Sequence, residues 1–579
     1  MNDARPPAIV SLERLRSSLA DPGLSLPLEG AATQRDAAAS AVRQIDDYIR
    51  PRLADLDAPL LAVVGGSTGS GKSTIVNAII GTPTTRAGVI RPTTRQPILV
   101  HAPVDAGWFA SDRILPGLAR VRGRITEPGT PASSAGDVPT ASRMNELMLL
   151  ASDQVPASLA LVDAPDIDSV ADENRALANQ LLAAADLWLF VTTANRYADA
   201  VPWALLDGAA SRAITVAVVL NRVPPGAADE VLPDLKQMLS SRGLPDAPVF
   251  VIEEQPLDDL GMLPAESVAG PRTWLTGIAA DRVERARIAA RTLRGAIVDL
   301  DIRVASIATA RQQQLDWLDG IAKSVALDYD NAADAVDDAT RDGALLRGEV
   351  LARWQDFVGT GEFFKKVESG VSRLRDRLTG ALTGKASQPA DVGEALQVGV
   401  AQLIEANADA AAAEVARAWR ALPAGSELIA AQPGLAASDK DFSTRVDAAV
   451  RAWQGEVLDV VRSEGQDRRT NARVAAYGVN GIGLFLMLVA FAHTGGLMGA
   501  EVGIAGGTAV LAQRVLEAIF GDQAVRTMAA KARSALLEHT ERLIGEERDR
   551  YLDAVGAKTI PTEQTDRLSR ALDAVQAAS

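Results

Sequence analysis

Hydrophobic and polar positions divide the chain into two regions with different periodicities. Between about 58 and 280, stretches of helical periodicity alternate with short apolar runs at 60–64, 98–100, 159–162, 187–191, 214–220 and 249–252. This alternation is typical of βαβ units, so we predict a mostly parallel sheet. After about 281 the strand signal disappears. Apolar residues then recur at helical spacing, as at Leu318, Ala322 and Val325, which predicts a large bundle of packed helices.

The same patterns suggest how the chain is organised into domains. Helical periodicity over 8–20 and 33–55 precedes the first apolar run, and mixed helical stretches resume after the last apolar segment. We therefore predict five parts: N-terminal helices that pack on a stalk (1–57), an α/β domain (58–280), a helical stalk (281–470), an apolar hairpin (471–520) and C-terminal helices that return to the bundle (521–579).

The apolar hairpin is predicted from an uncharged segment near the C-terminus. Residues 474–500 contain no Asp, Glu, Lys or Arg. As a helix, 474–492 would span ~28 Å, which is close to the thickness of a bilayer core. A turn at 493–496 separates it from 497–513, where glycines recur every four residues around one acid, Glu501. The segment therefore predicts a hairpin that inserts in a bilayer or lies against it, with a buried core hairpin as the alternative.

Composition and charge narrow the classes of function. The 579 residues carry a formal net charge of −15, which argues against a nucleic-acid partner. The absence of cysteine excludes disulfides, thiolate zinc sites and cysteine nucleophiles. Between 467 and 533, however, seven Lys or Arg stand against four Asp or Glu. A basic stretch around an apolar hairpin suits the anionic headgroups of a membrane, with both ends in the cytoplasm.

A phosphate-binding motif follows the first apolar run. Residues 66–74 read GSTGSGKST, which matches G-x-x-x-x-G-K-[ST] between a predicted strand and a predicted helix. Glycines let the backbone N–H groups surround phosphate oxygens, Lys72 reaches the β- and γ-phosphates, and the hydroxyl of Ser73 can bind Mg²⁺. The candidate nucleotide-binding residues here are Gly66, Ser67, Thr68, Gly69, Ser70, Gly71, Lys72, Ser73 and Thr74.

Two further elements fit the same chemistry. Asp163 ends the run 159–162, where a carboxylate can hold the Mg²⁺ shell directly or through water. A Pro-Thr-Thr sequence precedes the run 98–100, and its Thr94, or alternatively Thr93, can close over the γ-phosphate and Mg²⁺. The candidate catalytic residues are thus Lys72, Thr94 and Asp163, and the candidate metal ligands are Ser73, Thr94 and Asp163.

These three elements, in this order, resemble the dynamin-like and Era-like P-loop GTPases, and most closely the bacterial dynamin-like proteins. By motif, the resemblance covers about 58–255. The D-x-P-G motif of the family falls on 163–166, where Asp166 replaces the glycine whose N–H contacts the γ-phosphate. The serine that positions catalytic water in dynamins corresponds to Gly69 here. The sequence therefore does not identify the group that would position the catalytic water.

The guanine-reading motif of the family, N-K-x-D, falls after the run 214–220. Asn221 matches the motif, Arg222 is a basic substitute for the lysine, and Pro224 replaces the aspartate. A proline side chain cannot accept the two N–H bonds of guanine. The resemblance therefore implies GTP as substrate, with Asn221 and Arg222 near the base, while ATP stays an alternative.

The resemblance implies a Mg²⁺-dependent GTPase whose nucleotide state moves a helical stalk. It implies a homo- or hetero-oligomer and association with, or remodelling of, a membrane that contains anionic lipid. We expect a cytoplasmic protein at the inner face of the cell membrane, since no secretory signal opens the sequence. Three alternatives stay open: a nucleotide-gated membrane scaffold with little hydrolysis, a soluble NTPase whose hairpin is only core, and an ABC-type ATPase. The last lacks its L-S-G-G-Q signature here.

Overall fold

The structure is a computed structural model that describes residues 7–84, 96–123, 145–168, 172–341, 389–464, 488–489 and 516–559, together with residues 570 and 573. The chain forms two compact units. The first contains residues 1–24, 29–312 and 560–579, and the second contains residues 25–28 and 313–559. Each unit has a hydrophobic core of its own.

An eight-stranded sheet forms the centre of the first unit, in the order β3-β4-β2-β5-β1-β6-β7-β8. Its strands are β1 (Leu60–Gly66), β2 (Ile98–His101), β3 (Ala119–Arg122), β4 (Glu146–Ala151), β5 (Leu159–Asp163), β6 (Leu187–Thr193), β7 (Thr215–Val223) and β8 (Val249–Glu253). The described pairs are parallel except β2 with β5, which run antiparallel. The mostly parallel sheet expected from the apolar runs is therefore confirmed.

Side chains alternate between the two faces of this sheet and build a core on each. In β1, Leu60, Ala62 and Val64 contribute to one core. Leu61 and Val63 point the other way and contribute to the second core. All seven residues of β1 are buried, because helices cover both faces of the central strands. A near-continuous apolar run is what a strand in this position requires.

Helices surround the sheet and link its strands. They are α1 (Pro7–Ala20), α2 (Ala31–Gln44), α3 (Arg50–Ala54), α4 (Lys72–Ile80), α5 (Ala106–Phe109), α6 (Asp172–Ala183), α7 (Ala200–Ser211), α8 (Ala228–Ser241), α9 (Ala269–Ala280) and α10 (Arg282–Arg341). A π-helical turn, Ile45–Ile49, joins α2 to α3. Apolar side chains of α1, α2 and this turn pack on the first half of α10, from Leu293 to Ile307.

A buried ion pair fixes the N-terminal helices to the sheet. Asp186, which directly precedes β6, is fully buried and pairs with the guanidinium of Arg52 in α3. Its carboxylate also accepts hydrogen bonds from the Tyr48 hydroxyl (3.0 Å) and from the backbone N–H of Leu61 in β1 (2.8 Å). These bonds satisfy a charge that would otherwise be costly to bury. They hold the amino ends of β1 and β6, at the opposite end of these strands from the loop that follows β1.

The second unit is helical in its described residues. It contains the second half of α10 with α11 (Pro389–Arg420), α12 (Pro423–Ala431), α13 (Phe442–Glu464) and α14 (Asp522–Gly556). Its core includes Leu318 and Val325 of the predicted stripe. The indole N–H of Trp453 in α13 donates to the carbonyl of Ala532 in α14 at 2.7 Å. An α/β P-loop domain with a large helical part is thus the fold that the chain adopts.

The apolar hairpin lies almost wholly outside the described residues. Only 488–489 and 516–520 of the predicted segment 471–520 are described, and all seven of these residues are helical. Among the helices that the structure describes, none combines the length and apolar character needed to cross a membrane.

Candidate nucleotide site

The loop between β1 and α4 requires glycine at two positions. A Cβ atom on Gly66 would lie 2.0 Å from the carbonyl oxygen of Val191 in β6, and one on Gly71 would lie 2.4 Å from Nδ2 of Asn221. Gly71 also has a φ of 93°, a left-handed conformation that favours glycine. The glycines of the motif therefore let the loop pass closely beneath the ends of β6 and β7.

Helix α4 begins at the last residue of this turn. The N–H of Ile75 donates to the carbonyl of Gly71 at 2.9 Å, and Gly81 ends the helix in the left-handed conformation. The free N–H groups and the dipole of a helix N-terminus favour an anion. Among the described residues, the buried hydroxyls of Ser67 and Ser70 have no hydrogen-bond partner. These two hydroxyls are therefore available to hydrogen-bond a ligand in the loop.

Lys72 is folded back over the loop. Its side chain is 5% exposed, and Nζ donates to the carbonyl oxygens of Gly66 (2.9 Å) and Ser67 (3.1 Å). The same ammonium forms an ion pair with the carboxylate of Asp166, which follows β5. Lys72 is therefore positioned at the phosphate-binding loop, and its charge is already neutralised by an acid of the protein.

Ser73 and Asp163 meet beside the loop. Asp163 is the last residue of β5 and pairs in register with Val64 of β1, so that its side chain reaches the start of α4. The Ser73 hydroxyl donates to Oδ2 of Asp163 at 2.7 Å. A serine hydroxyl and a carboxylate are hard oxygen ligands, and Mg²⁺ is usually bound by one or two such groups together with water and phosphate. This pair fits Mg²⁺. Among the described residues, no group of three or more His, Asp or Glu side chains is arranged to hold a metal ion.

A further acid and an arginine, which the sequence reasoning missed, also contact the loop. Oδ1 of Asp168 accepts hydrogen bonds from the backbone N–H of Thr68 (2.6 Å) and from its hydroxyl (2.7 Å). Nη2 of Arg196, in the loop after β6, donates to Oδ2 of Asp168 at 2.7 Å, and Nη1 donates to the Thr68 carbonyl at 3.1 Å. Burial alone would raise the pKa of Asp168, but the bonds from Thr68 and Arg196 hold that pKa below its ordinary value.

Of the two residues predicted to lie near the base, Asn221 is buried and Arg222 is exposed. Asn221 in β7 is buried, and its Nδ2 donates to the carbonyl of Ser70 at 2.8 Å, so it supports the loop from below. Arg222 has a positive φ of 54° and an exposed side chain. Pro224 follows β7 and is also exposed. Thr74 lies in the first turn of α4, whereas Thr94 and its alternative Thr93 lie outside the described residues.

Comparison with protein families agrees with this geometry. Residues 61–221 match the family model described as Dynamin family, which spans β1 to Asn221 and includes the loop, Asp163 and Asp166. This part of the chain is similar to the Dynamin family. No curated protein gives a significant match to the chain.

Solved structures of bacterial dynamins also align with the chain. One belongs to an oligomerised bacterial dynamin pair described as providing a mechanism for the long-range sensing and tethering of membranes. Its sequence is 12% identical to this chain. The alignment covers 100% of this chain and 96% of the bacterial dynamin chain, with a TM-score of 0.45. LeoA, a bacterial dynamin GTPase from ETEC, is also 12% identical, covers 98% of this chain and 97% of its own, and has a TM-score of 0.22.

Proposed function

We propose that the chain is a dynamin-like GTPase that binds and hydrolyses GTP with Mg²⁺ and couples its nucleotide state to the helical unit. The observation that carries this proposal is the convergence of Lys72, Ser73 and Asp163 at the loop after β1. The loop offers backbone donors and a lysine to phosphate, and the Ser73–Asp163 pair offers oxygen ligands to a metal. The dynamin-family match over 61–221 supports the same conclusion.

Hydrolysis in this proposal is an in-line attack of water on the γ-phosphate. Lys72 orients the β- and γ-phosphate oxygens and neutralises the charge that develops on them. Ser73 and Asp163, with Thr94, would hold Mg²⁺ directly or through water. When bound, Mg²⁺ supplies the additional positive charge that phosphoryl transfer needs. Catalysis therefore rests on positioning and electrostatics, and Lys72, Thr94 and Asp163 are its proposed catalytic residues.

The proposed substrate is GTP, with ATP as the alternative. Asn221 supports the loop, and Pro224 offers no side-chain acceptor to the base. Titration calorimetry with Mg²⁺ compares GTP with ATP directly. We expect tighter binding of GTP, and tighter binding of ATP would instead favour the ATPase alternative.

Single-turnover hydrolysis by the purified full chain tests the enzymatic part. We expect Lys72→Ala to lower the rate by about a hundredfold or more, because it removes a charge that acts on the transferring phosphoryl group. Lys236→Ala is the matched control, since Lys236 is an exposed lysine on α8, outside the site. If wild type hydrolysed nucleotide no faster than Lys72→Ala, the proposal that the chain is a hydrolase would be contradicted.

A second candidate function is a nucleotide-gated membrane scaffold with little hydrolysis. The ion pair between Asp166 and Lys72 favours it, because an acid on the phosphate-binding lysine opposes the stabilisation of a transferring phosphate. In that case GTP would bind without turnover. The hydrolysis experiment therefore separates the two functions.

The remaining proposals concern the helical parts and the membrane. We propose that 58–280 is the GTPase domain, that 281–470 is a stalk on which 1–57 and 521–579 pack, and that 471–520 meets the membrane. The protein would then act as a homo- or hetero-oligomer in the cytoplasm, at the inner face of the cell membrane. The basic residues that flank an apolar segment in an acidic chain support a membrane of anionic lipid.

A further inference from the structure

The last residue of β5 and the segment that follows it place three carboxylates on the phosphate-binding loop. Each contacts a different polar group of the loop: Asp163 the hydroxyl of Ser73, Asp166 the ammonium of Lys72, and Asp168 the N–H and hydroxyl of Thr68. The backbone reinforces these contacts, since the N–H of Ile167 donates to the carbonyl of Gly66 at 3.4 Å. One short segment thus holds the groups that would bind the phosphates and Mg²⁺.

Lys72 has all of its hydrogen-bonding capacity engaged in this arrangement. An ammonium group carries three N–H donors, and here they are directed at the carbonyls of Gly66 and Ser67 and at the carboxylate of Asp166. The two carbonyls belong to the loop itself and keep their places as long as the loop does. The Asp166 side chain is 18% exposed and is the one acceptor that can rotate away.

We propose that Asp166 is a built-in competitor for the nucleotide phosphates at Lys72, and that phosphate binding displaces its carboxylate. This inference rests on the proposed function, because it concerns the same loop. A phosphate oxygen and the carboxylate cannot share one ammonium donor, and two anions held close together repel each other. This competition lowers the affinity for nucleotide. Only a ligand that carries enough phosphate charge, together with its Mg²⁺, displaces Asp166 and binds Lys72.

Displacement of Asp166 also reaches the rest of the segment. Asp168 lies two residues further on and holds both Thr68 and Arg196. If the backbone moves together with the side chain of Asp166, the contacts of Asp168 with the loop change as well. The acid at position 166 thereby links occupation of the phosphate site to the position of residues 164–168.

Binding measurements on the full chain test the competition. The probes are GTP, ATP and inorganic triphosphate, each with Mg²⁺, in titration calorimetry. Inorganic triphosphate carries no base, so it reports on the phosphate site alone. Asp166→Asn keeps the shape of the side chain and removes its charge, and Asp166→Gly removes the side chain. We expect both variants to bind inorganic triphosphate about tenfold or more tightly than wild type.

The matched control is Asp153→Asn, an exposed acid in the turn after β4, which should bind like wild type. If Asp166→Asn and Asp166→Gly bind within about twofold of wild type, or more weakly, the competition is wrong although the proposed function stands. If neither wild type nor the Asp166 variants bind any of the three probes, the proposed function itself fails.

Amide hydrogen exchange of the wild-type chain supplies a test that needs no variant. Saturating GTP with Mg²⁺ should change the exchange of the backbone amides at 164 and 166–168, since the carboxylate of Asp166 has to leave Lys72. Unchanged exchange in this segment at saturation would overturn the displacement of Asp166. Changed exchange in the segment, with unchanged exchange in β8 as the internal reference, would support it.

Discussion

Asp47 is a buried carboxyl group in the π-helical turn between α2 and α3. Its side chain is 3% exposed, accepts a hydrogen bond from Nε2 of Gln180 in α6 at 2.9 Å, and lines a cavity of about 720 Å³ between these elements. Burial raises its pKa to about 6, and the hydrogen bond from Gln180 only partly offsets that effect. The charge of this residue therefore changes in a pH range where ordinary aspartates stay ionised.

We predict a pH-dependent effect of Asp47→Asn on stability. Between about pH 4 and pH 6 the folded chain binds more protons at Asp47 than the unfolded chain, so this residue destabilises the fold progressively as pH rises. The full penalty, about 3 kcal/mol for a shift of about two pKa units, is present above pH 6. Asp47→Asn should raise the thermal midpoint at about pH 7.5 and have little effect at about pH 4, as differential scanning fluorimetry would measure.

The control for this prediction is Asp36→Asn, because Asp36 is an exposed acid on α2. Its thermal midpoint should follow that of wild type throughout the titration. If the thermal midpoint of Asp47→Asn also equalled that of wild type at every pH, the ionised carboxylate of Asp47 would not destabilise the folded chain, and the prediction would be wrong.

At the scale of single residues, the sequence predicted the groups within the motif and missed their partners. Lys72, Ser73 and Asp163 are recognisable because motif spacing places them on one loop and one strand end. Asp168 and Arg196 belong to no motif, and their contact with Thr68 depends on loops that are far apart in the chain. A useful signal was present, since polar residues at the carboxyl ends of parallel strands meet at one edge of a sheet. It does not identify which of them form contacts.

At the scale of elements, six of the eight described strands correspond to the apolar runs. β3 was missed because its sequence, ARVR, alternates charge with small apolar residues at the edge of the sheet. β4 was missed because its sequence, ELMLLA, consists of residues that also favour helices, and a short apolar run does not distinguish the two. The antiparallel pairing of β2 with β5 has no local signal, because strand direction depends on how the intervening chain crosses the sheet.

Helix α14 contains a buried acid that joins it to α13. The side chain of Glu547 is fully buried and accepts hydrogen bonds from Nη2 of Arg445 (2.6 Å) and from the backbone N–H of Asp439 (2.9 Å). It also pairs with Arg550, one turn further along α14. Two arginines and an amide around one carboxylate compensate the cost of burying its charge.

We predict that Glu547→Ala destabilises the helical unit by about 3 kcal/mol or more, because it leaves two partly buried arginines without their shared partner. Urea denaturation followed by circular dichroism would measure this loss as a lower midpoint. Glu546→Ala is the matched control: Glu546 is the preceding residue, is about half exposed, and lies 3.4 Å from Arg445. An exposed pair of this kind contributes at most about 1 kcal/mol. Equal midpoints for the two variants would contradict the role of Glu547.

At the scale of the whole molecule, charge is distributed unevenly. The chain carries a formal net charge of −15, yet the stretch between 467 and 533, which contains the apolar segment, has more basic than acidic residues. A uniformly acidic protein would be repelled by anionic lipid. A basic stretch beside an apolar segment instead gains about 1 kcal/mol for each Lys or Arg near an anionic surface, and this gain is weakened by salt.

We predict that the full chain floats with vesicles that contain phosphatidylglycerol and that a variant lacking 474–513 does not. Flotation should be weaker with pure phosphatidylcholine vesicles and should fall as salt rises, because the flanking arginines act through charge. A variant with Arg468, Arg469 and Arg473 changed to Gln retains the apolar segment and should show an intermediate loss on the anionic vesicles. GTP binding by each variant reports that the first unit is folded. A deletion variant that binds GTP and floats as well as wild type would contradict the hairpin as the membrane contact and favour its alternative as part of the helical core.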